Sequence, residues 1–172
     1  MPDSNRTQKA LRAAEGYAEL KMYDDALAEL DRLLAEVPDH LDALYRKGLI
    51  LLERGRWAEA EAPFCRIIEL DPEQAHVYVH LAWIYRRIAS LEKAIETIQR
   101  AVELKPSMPI ALYNLACYRA VQGQSEQALT LLGKAIGLAK EYRALARSDP
   151  DFESVKGSEA FKKLTEIGTS GP

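Results

Sequence analysis

Cysteine is nearly absent from this sequence. Its two copies, Cys65 and Cys117, lie 52 positions apart with no CxxC pairing, which suits neither a disulfide framework nor a clustered zinc site. Both are expected to be reduced residues of the core or of a groove. Long apolar runs are missing too. The start, MPDSNRTQKALRAA, is polar, and no later stretch approaches the roughly 18 consecutive apolar residues of a membrane span. The expectation is a soluble, cytoplasmic chain without membrane insertion. An excess of positive charge is also lacking: 23 Lys/Arg stand against 26 Asp/Glu, for a net charge of -3 and a pI near 5.7. Nonspecific phosphate binding needs a basic field, so nucleic acid is not an expected partner. Neither a phosphate-cradling glycine loop nor a Ser-His-Asp signature occurs, and no cofactor is expected.

What remains is enough for a folded core. The 172 residues are 48% hydrophobic and 28% charged, a balance typical of one globular domain and unlike that of a disordered chain. Charge is unevenly spread. Residues 1–74 carry 10 Lys/Arg and 16 Asp/Glu, residues 75–142 carry 8 and 5, and residues 143–172 carry 5 and 5. An acidic end followed by a mildly basic middle would orient a charged partner or stack copies head to tail; solvated helix faces would look the same.

The prolines expose an internal period. Pro38, Pro72 and Pro106 are spaced 34 and 34 apart and close the similar phrases LDRLLAEVP, CRIIELDP and QRAVELKP. Setting each proline at position 32 gives an N-terminal tail at 1–6, repeats at 7–40, 41–74, 75–108 and 109–142, and a closing segment at 143–172. Position 20 is then Ala26, Ala60, Ala94 and Ala128, where two helices must approach closely. Position 8 is always small (Ala14, Gly48, Ala82, Ala116) and position 24 always large (Leu30, Phe64, Ile98, Leu132), so small faces large across a helical hairpin. Gly55 and Gly123 mark left-handed turns after the first helix of repeats two and four; repeats one and three have Lys21 and Ala89 there. Apolar residues recur at helical spacing, as in Leu44, Leu51 and Leu52 or Ile95, Ile98 and Val102, without strand alternation. A helix pair of this size cannot bury its apolar face alone, so neighbouring pairs must stack.

Spacing and residues together resemble the tetratricopeptide repeat across residues 7–142. In repeat three, Tyr78, Leu81, Ala82, Tyr85, Ala94, Ile98, Ala101 and Pro106 follow the family pattern; repeat four departs with Lys140 at position 32, and repeat one has Ala10 and Ala13 in place of larger residues. The resemblance implies an all-α, right-handed α-solenoid of about four helix pairs with a C-terminal helical cap. The segment RALARSDPDFESVKGSEAFKKLTEIG resembles the closing unit of some bacterial members, which implies a bacterial source. Asp149 before Pro150 reads as a helix N-cap, and Gly157-Ser158 as a stop followed by a new start. Two short helices are expected, with Phe152, Val155, Phe161, Leu164 and Ile167 covering the exposed face of repeat four.

In this family the first helices of successive repeats line a concave surface, which implies a protein-binding groove. Carried over by position, repeat two supplies Asp42, Tyr45, Arg46, Leu49 and Glu53. Repeat three supplies His76, Val79, His80, Trp83, Arg86 and Arg87, and repeat four supplies Tyr113, Asn114 and Cys117. Trp83 should face the groove as an interface anchor, or else pack on the neighbouring helix; Tyr45 and Tyr113 carry the same two readings. Trp57, in the turn, reads as structural. Arg46, Arg86 and Arg87 offer bidentate contacts to an acidic stretch or a terminal carboxylate. The two-carboxylate clamp of chaperone-binding members is not evident, since Leu11, Glu15, Tyr45 and Leu49 stand where it needs Lys and Asn.

Other chemistry is weakly signalled. His76 and His80 have a metal-sharing spacing, but no glutamate lies between them and no third ligand is apparent. Cys117 with His80 would make a thiolate–imidazole pair lacking an orienting group. The sequence therefore predicts a non-enzymatic scaffold or adaptor that holds a protein or peptide partner in its groove, with self-assembly into a homo-oligomer as the alternative.

Overall fold

The computed structural model describes residues 4–166, which are largely helical and divide into two compact units, Met1–Ile88 and Ala89–Pro172. The division falls inside the third predicted repeat. Among the described residues there is no strand, and no helix is long and apolar enough to cross a membrane.

The first unit contains α1 (Ser4–Glu19), α2 (Tyr23–Glu36), α3 (Leu41–Glu53), α4 (Trp57–Leu70) and α5 (Ala75–Ile88). Helix α1 begins inside the expected tail. Its turn into α2 and the turn from α3 into α4 are built alike. Lys21 (φ 59°) and Gly55 (φ 68°) are left-handed, which lets Met22 N–H reach Tyr17 O and Arg56 N–H reach Leu51 O, both at 2.8 Å. This is the Schellman closure, satisfying carbonyls that a helix end leaves open. Lys21 thus takes a conformation that glycine adopts without penalty, at a cost of about 1 kcal/mol for a residue bearing a Cβ.

Close helix approach follows from the small residues. Ala14, Ala26 and Ala60 are buried, as are Leu30 and Phe64. At Gly48 a Cβ would lie 2.6 Å from Phe64 Cζ. The ring has taken the space of the missing side chain, and burying it contributes about 1.5–3 kcal/mol. Prolines 38 and 72 each follow the C-cap residue of α2 and α4, where a residue without an N–H cannot extend the helix.

The second unit contains α6 (Leu91–Leu104), α7 (Pro109–Val121), α8 (Ser125–Leu138), α9 (Tyr142–Ser148), a 3-10 turn (Pro150–Phe152) and α10 (Glu159–Thr165). Ser90 Oγ accepts the Lys93 N–H and caps α6, while Gly123 (φ 82°) repeats the left-handed turn between α7 and α8. Asp149 and Ser158 cap as the sequence predicts, accepting Asp151 N–H and Phe161 N–H. Asp149 opens a 3-10 turn rather than the expected α-helix. The bonds run three residues back, from Phe152 to Asp149, Glu153 to Pro150 and Val155 to Phe152, the tighter geometry common in short connecting pieces. Phe152, Val155 and Phe161 are buried, Leu164 is half-buried against Gly133 of α8, and Ile167 lies outside the described residues.

Candidate functional site

Within the first unit, α3 and α5 carry most of the residues that the sequence assigns to a groove, and the structure sorts them by exposure. Val79 is buried; Tyr45, Arg46, His76, His80 and Arg86 are half-buried; Leu49, Trp83 and Arg87 are exposed. The α5 face ends in a stacked cluster. The Arg87 guanidinium lies 4.5 Å from the ring centre of Trp83 and 4.8 Å from that of Trp57. The two indoles meet edge to face at 4.6 Å and 83°. Such cation–π contacts contribute about 0.5–1 kcal/mol each at exposed sites. Among the described residues Arg87 meets indole faces rather than a carboxylate, leaving its N–H edges for another acceptor.

Trp57, read from the sequence as structural, opens α4 and packs half-buried against Trp83 and Arg87. No sequence signal joins it to Trp83, because the pairing depends on how α4 packs on α5.

Deeper in the same face, Tyr45, His76, His80 and Phe64 form an aromatic cluster. His80 stacks on Phe64 at 5.1 Å, and its Nε2 shares a hydrogen bond with the Tyr45 hydroxyl at 3.1 Å. Tyr45 also meets His76 edge-on at 5.0 Å. Burial, and secondly the charge of His76, push His80 down to about 4, so its ring is neutral near pH 7. His76 and His80 are both built into this aromatic cluster, with the His80 Nε2 engaged by Tyr45.

Between α1 and α3 lies a cleft of about 260 Å³, with Ala14, Ala18, Leu49 and Ile50 among its walls and Glu15, Glu19, Glu53 and Arg46 around them. Arg46 is spoken for: Nε donates to Asp42 at 2.9 Å and Nη1 lies 3.3 Å from Glu15. Arg86 likewise has a partner within the chain. Of the three arginines proposed from sequence, only Arg87 is presented outward.

In the second unit the structure overturns part of the predicted lining. Tyr113 and Cys117 are 3% and 4% exposed, because the chain's own C-terminal segment covers them. Tyr113 donates its hydroxyl proton to Asp149 Oδ2 at 2.8 Å, and the Cys117 thiol lies 3.6 Å from the same oxygen. Tyr142 and Phe152 close over the Tyr113 ring. Asn114 beside them is half-buried. These positions would face a groove only if nothing else filled it, and residues 142–155 do.

The same contacts fix the state of the thiol. Burial, then the charges of Asp149 and Asp151, raise Cys117 well above the ordinary thiol range, which keeps the thiol protonated at neutral pH. Cys117, Asp149 and Asp151 are the one group of three potential metal-ligand residues with atoms gathered within 4.8 Å among the described residues. Their chemistry is that of a cap: the Asp149 carboxylate is occupied by the Tyr113 hydroxyl, the Cys117 thiol and the Asp151 N–H.

Comparison with known proteins agrees with the repeat pattern. Family models described as tetratricopeptide repeat match residues 11–75 and 75–108. The mitochondrial import receptor subunit TOM70 of Rattus norvegicus is 28% identical over 105 residues, covering 60% of this chain and 17% of that protein. The chain spans 13% to 17% of the length of the first curated relatives it matches. Among solved structures, MamA of Desulfovibrio magneticus RS-1 is 26% identical, with 80% of this chain and 78% of that one superposed at a TM-score of 0.72. YrrB, described as a TPR protein with an unusual peptide-binding site, is similar in fold at a TM-score of 0.69, 16% identity, and 90% and 84% coverage.

Proposed function

The chain belongs to the tetratricopeptide-repeat family, and from that premise we propose that it is an interaction scaffold or adaptor whose first unit holds a segment of a partner protein against α3 and α5. The observation carrying this reading is the Trp57–Arg87–Trp83 stack. A folded protein gains little internally from leaving a large indole 36% exposed beside a guanidinium without a carboxylate. At an interface the same trio is well suited to anchoring, because Trp and Arg bury large areas with few torsions left to freeze. Tyr45 and the exposed Leu49 extend the surface along α3. The peptide-binding site named for YrrB supports the reading at the level of fold alone.

Affinity capture from the source lysate tests it, comparing the wild type with the Trp83→Ala/Arg87→Ala double variant after both are shown to be equally folded. Loss of a hot-spot pair costs about 2 kcal/mol, close to 30-fold in affinity. A captured protein should therefore bind the wild type and be lost or at least 30-fold weaker with the variant. Equal retention by both would place binding elsewhere.

A further inference from the structure

We propose that the α1/α3 cleft takes an apolar side chain of the partner segment that lies next to a lysine or arginine. This rests on the scaffold reading and adds the chemistry of what is held. The inner wall of the cleft is apolar and includes Leu49, a large aliphatic residue left 36% exposed, so it fits a Leu- or Met-like side chain rather than a polar one.

The charge around it is unbalanced. Among the described residues Arg46 is the one cation lining the cleft, and it is already shared between Asp42 and Glu15. Glu19 and Glu53 remain. Among the described residues Glu53 receives a neutral donor, the Tyr23 hydroxyl at 2.5 Å, while the nearby Arg54 lies over the Tyr23 ring and reaches toward Asp24. Both glutamates are exposed.

Their place in the helices adds a second source of negative potential. Glu19 is the last residue of α1 and Glu53 the last of α3; neither helix has a basic residue in its final turn, and the cations just beyond them, Lys21 and the C-cap Arg54, are not among the residues lining the cleft. The negative ends of two helix dipoles thus coincide with two carboxylates. Acidic groups at this end weaken a helix, and a cation supplied from outside relieves both. A partner carrying Lys or Arg beside its apolar anchor meets that requirement, whereas an acidic segment is repelled.

Panning a random 12-residue peptide display library on the full chain tests this, followed by anisotropy titration of the enriched peptides. Enriched peptides should pair Leu, Ile, Met or Phe with Lys or Arg within four residues. They should weaken as NaCl is raised, and should bind Glu19→Gln/Glu53→Gln about tenfold less tightly. The Glu53→Gln change keeps an acceptor for the Tyr23 hydroxyl, and the salt titration on the wild type gives an independent readout should the variant misfold. Enrichment of acidic or uncharged peptides, salt-independent binding, or no enrichment at all would overturn the proposal. If enriched peptides are lost with Trp83→Ala/Arg87→Ala but bind the glutamine variant normally, the scaffold reading stands and the cleft assignment falls.

Discussion

At the scale of single residues, His80 couples the aromatic cluster to pH. Its ring sits among Phe64, Tyr45 and His76 and is held neutral, down to about 4 from an ordinary 6.5. The unfolded ring binds a proton near pH 6.5 and the folded one does not. Its contribution to stability is therefore complete above about 6.5 and is lost as pH falls from there toward 4. Equilibrium unfolding in urea should show the wild type losing more stability between pH 7.5 and pH 5 than a His80→Gln variant; equal losses would contradict the assignment. Residue-level features are unevenly legible in the sequence. Gly55 and Gly123 announce their left-handed turns, and Lys21, at the equivalent position, adopts the same geometry despite its Cβ. The contacts of Trp57 escape a sequence reading because its neighbours are tertiary. Glu19 does carry a signal, since it holds the same repeat position as Glu53, but its significance emerges only with the cleft.

At the scale of elements, helices are readable because their signals are local. Small residues at position 8, alanine at position 20 and proline at position 32 each act within one helix pair, so a single chain suffices to find them. The placement of the C-terminal segment is not local. Its buried residues Phe152, Val155 and Phe161 are recognisable as a covering set, but which groove positions they claim depends on how α9 and the 3-10 turn dock on α7. The outcome is that Tyr113 and Cys117 become core. Deleting residues 149–172 should remove Phe152, Val155 and Phe161 together with the Asp149 acceptor, a loss of about 5 kcal/mol from apolar burial alone. Thermal unfolding followed by circular dichroism should show a clearly lower midpoint for the truncated chain, and elution on a sizing column should broaden as the Tyr113 face is bared. An unchanged melting curve with monodisperse elution would contradict the role of this segment.

At the scale of the whole molecule, each unit handles its groove-facing positions differently. In the second unit the chain covers its own, whereas the first leaves indoles, a guanidinium and an acidic cleft in contact with solvent. The composition makes this division measurable, because the chain has only two tryptophans and both belong to the Arg87 stack. Tryptophan emission therefore reports on the proposed binding surface and on nothing else in the chain. The central claim is that a partner segment is held there. The most direct test is to titrate the chain with a tryptophan-free form of its captured partner and follow the emission maximum. Saturable movement of the maximum to shorter wavelength, with the same midpoint as binding measured independently, is the predicted result, since the indoles lose water on complex formation. Full binding by the independent measure with an unmoved emission maximum would contradict the account.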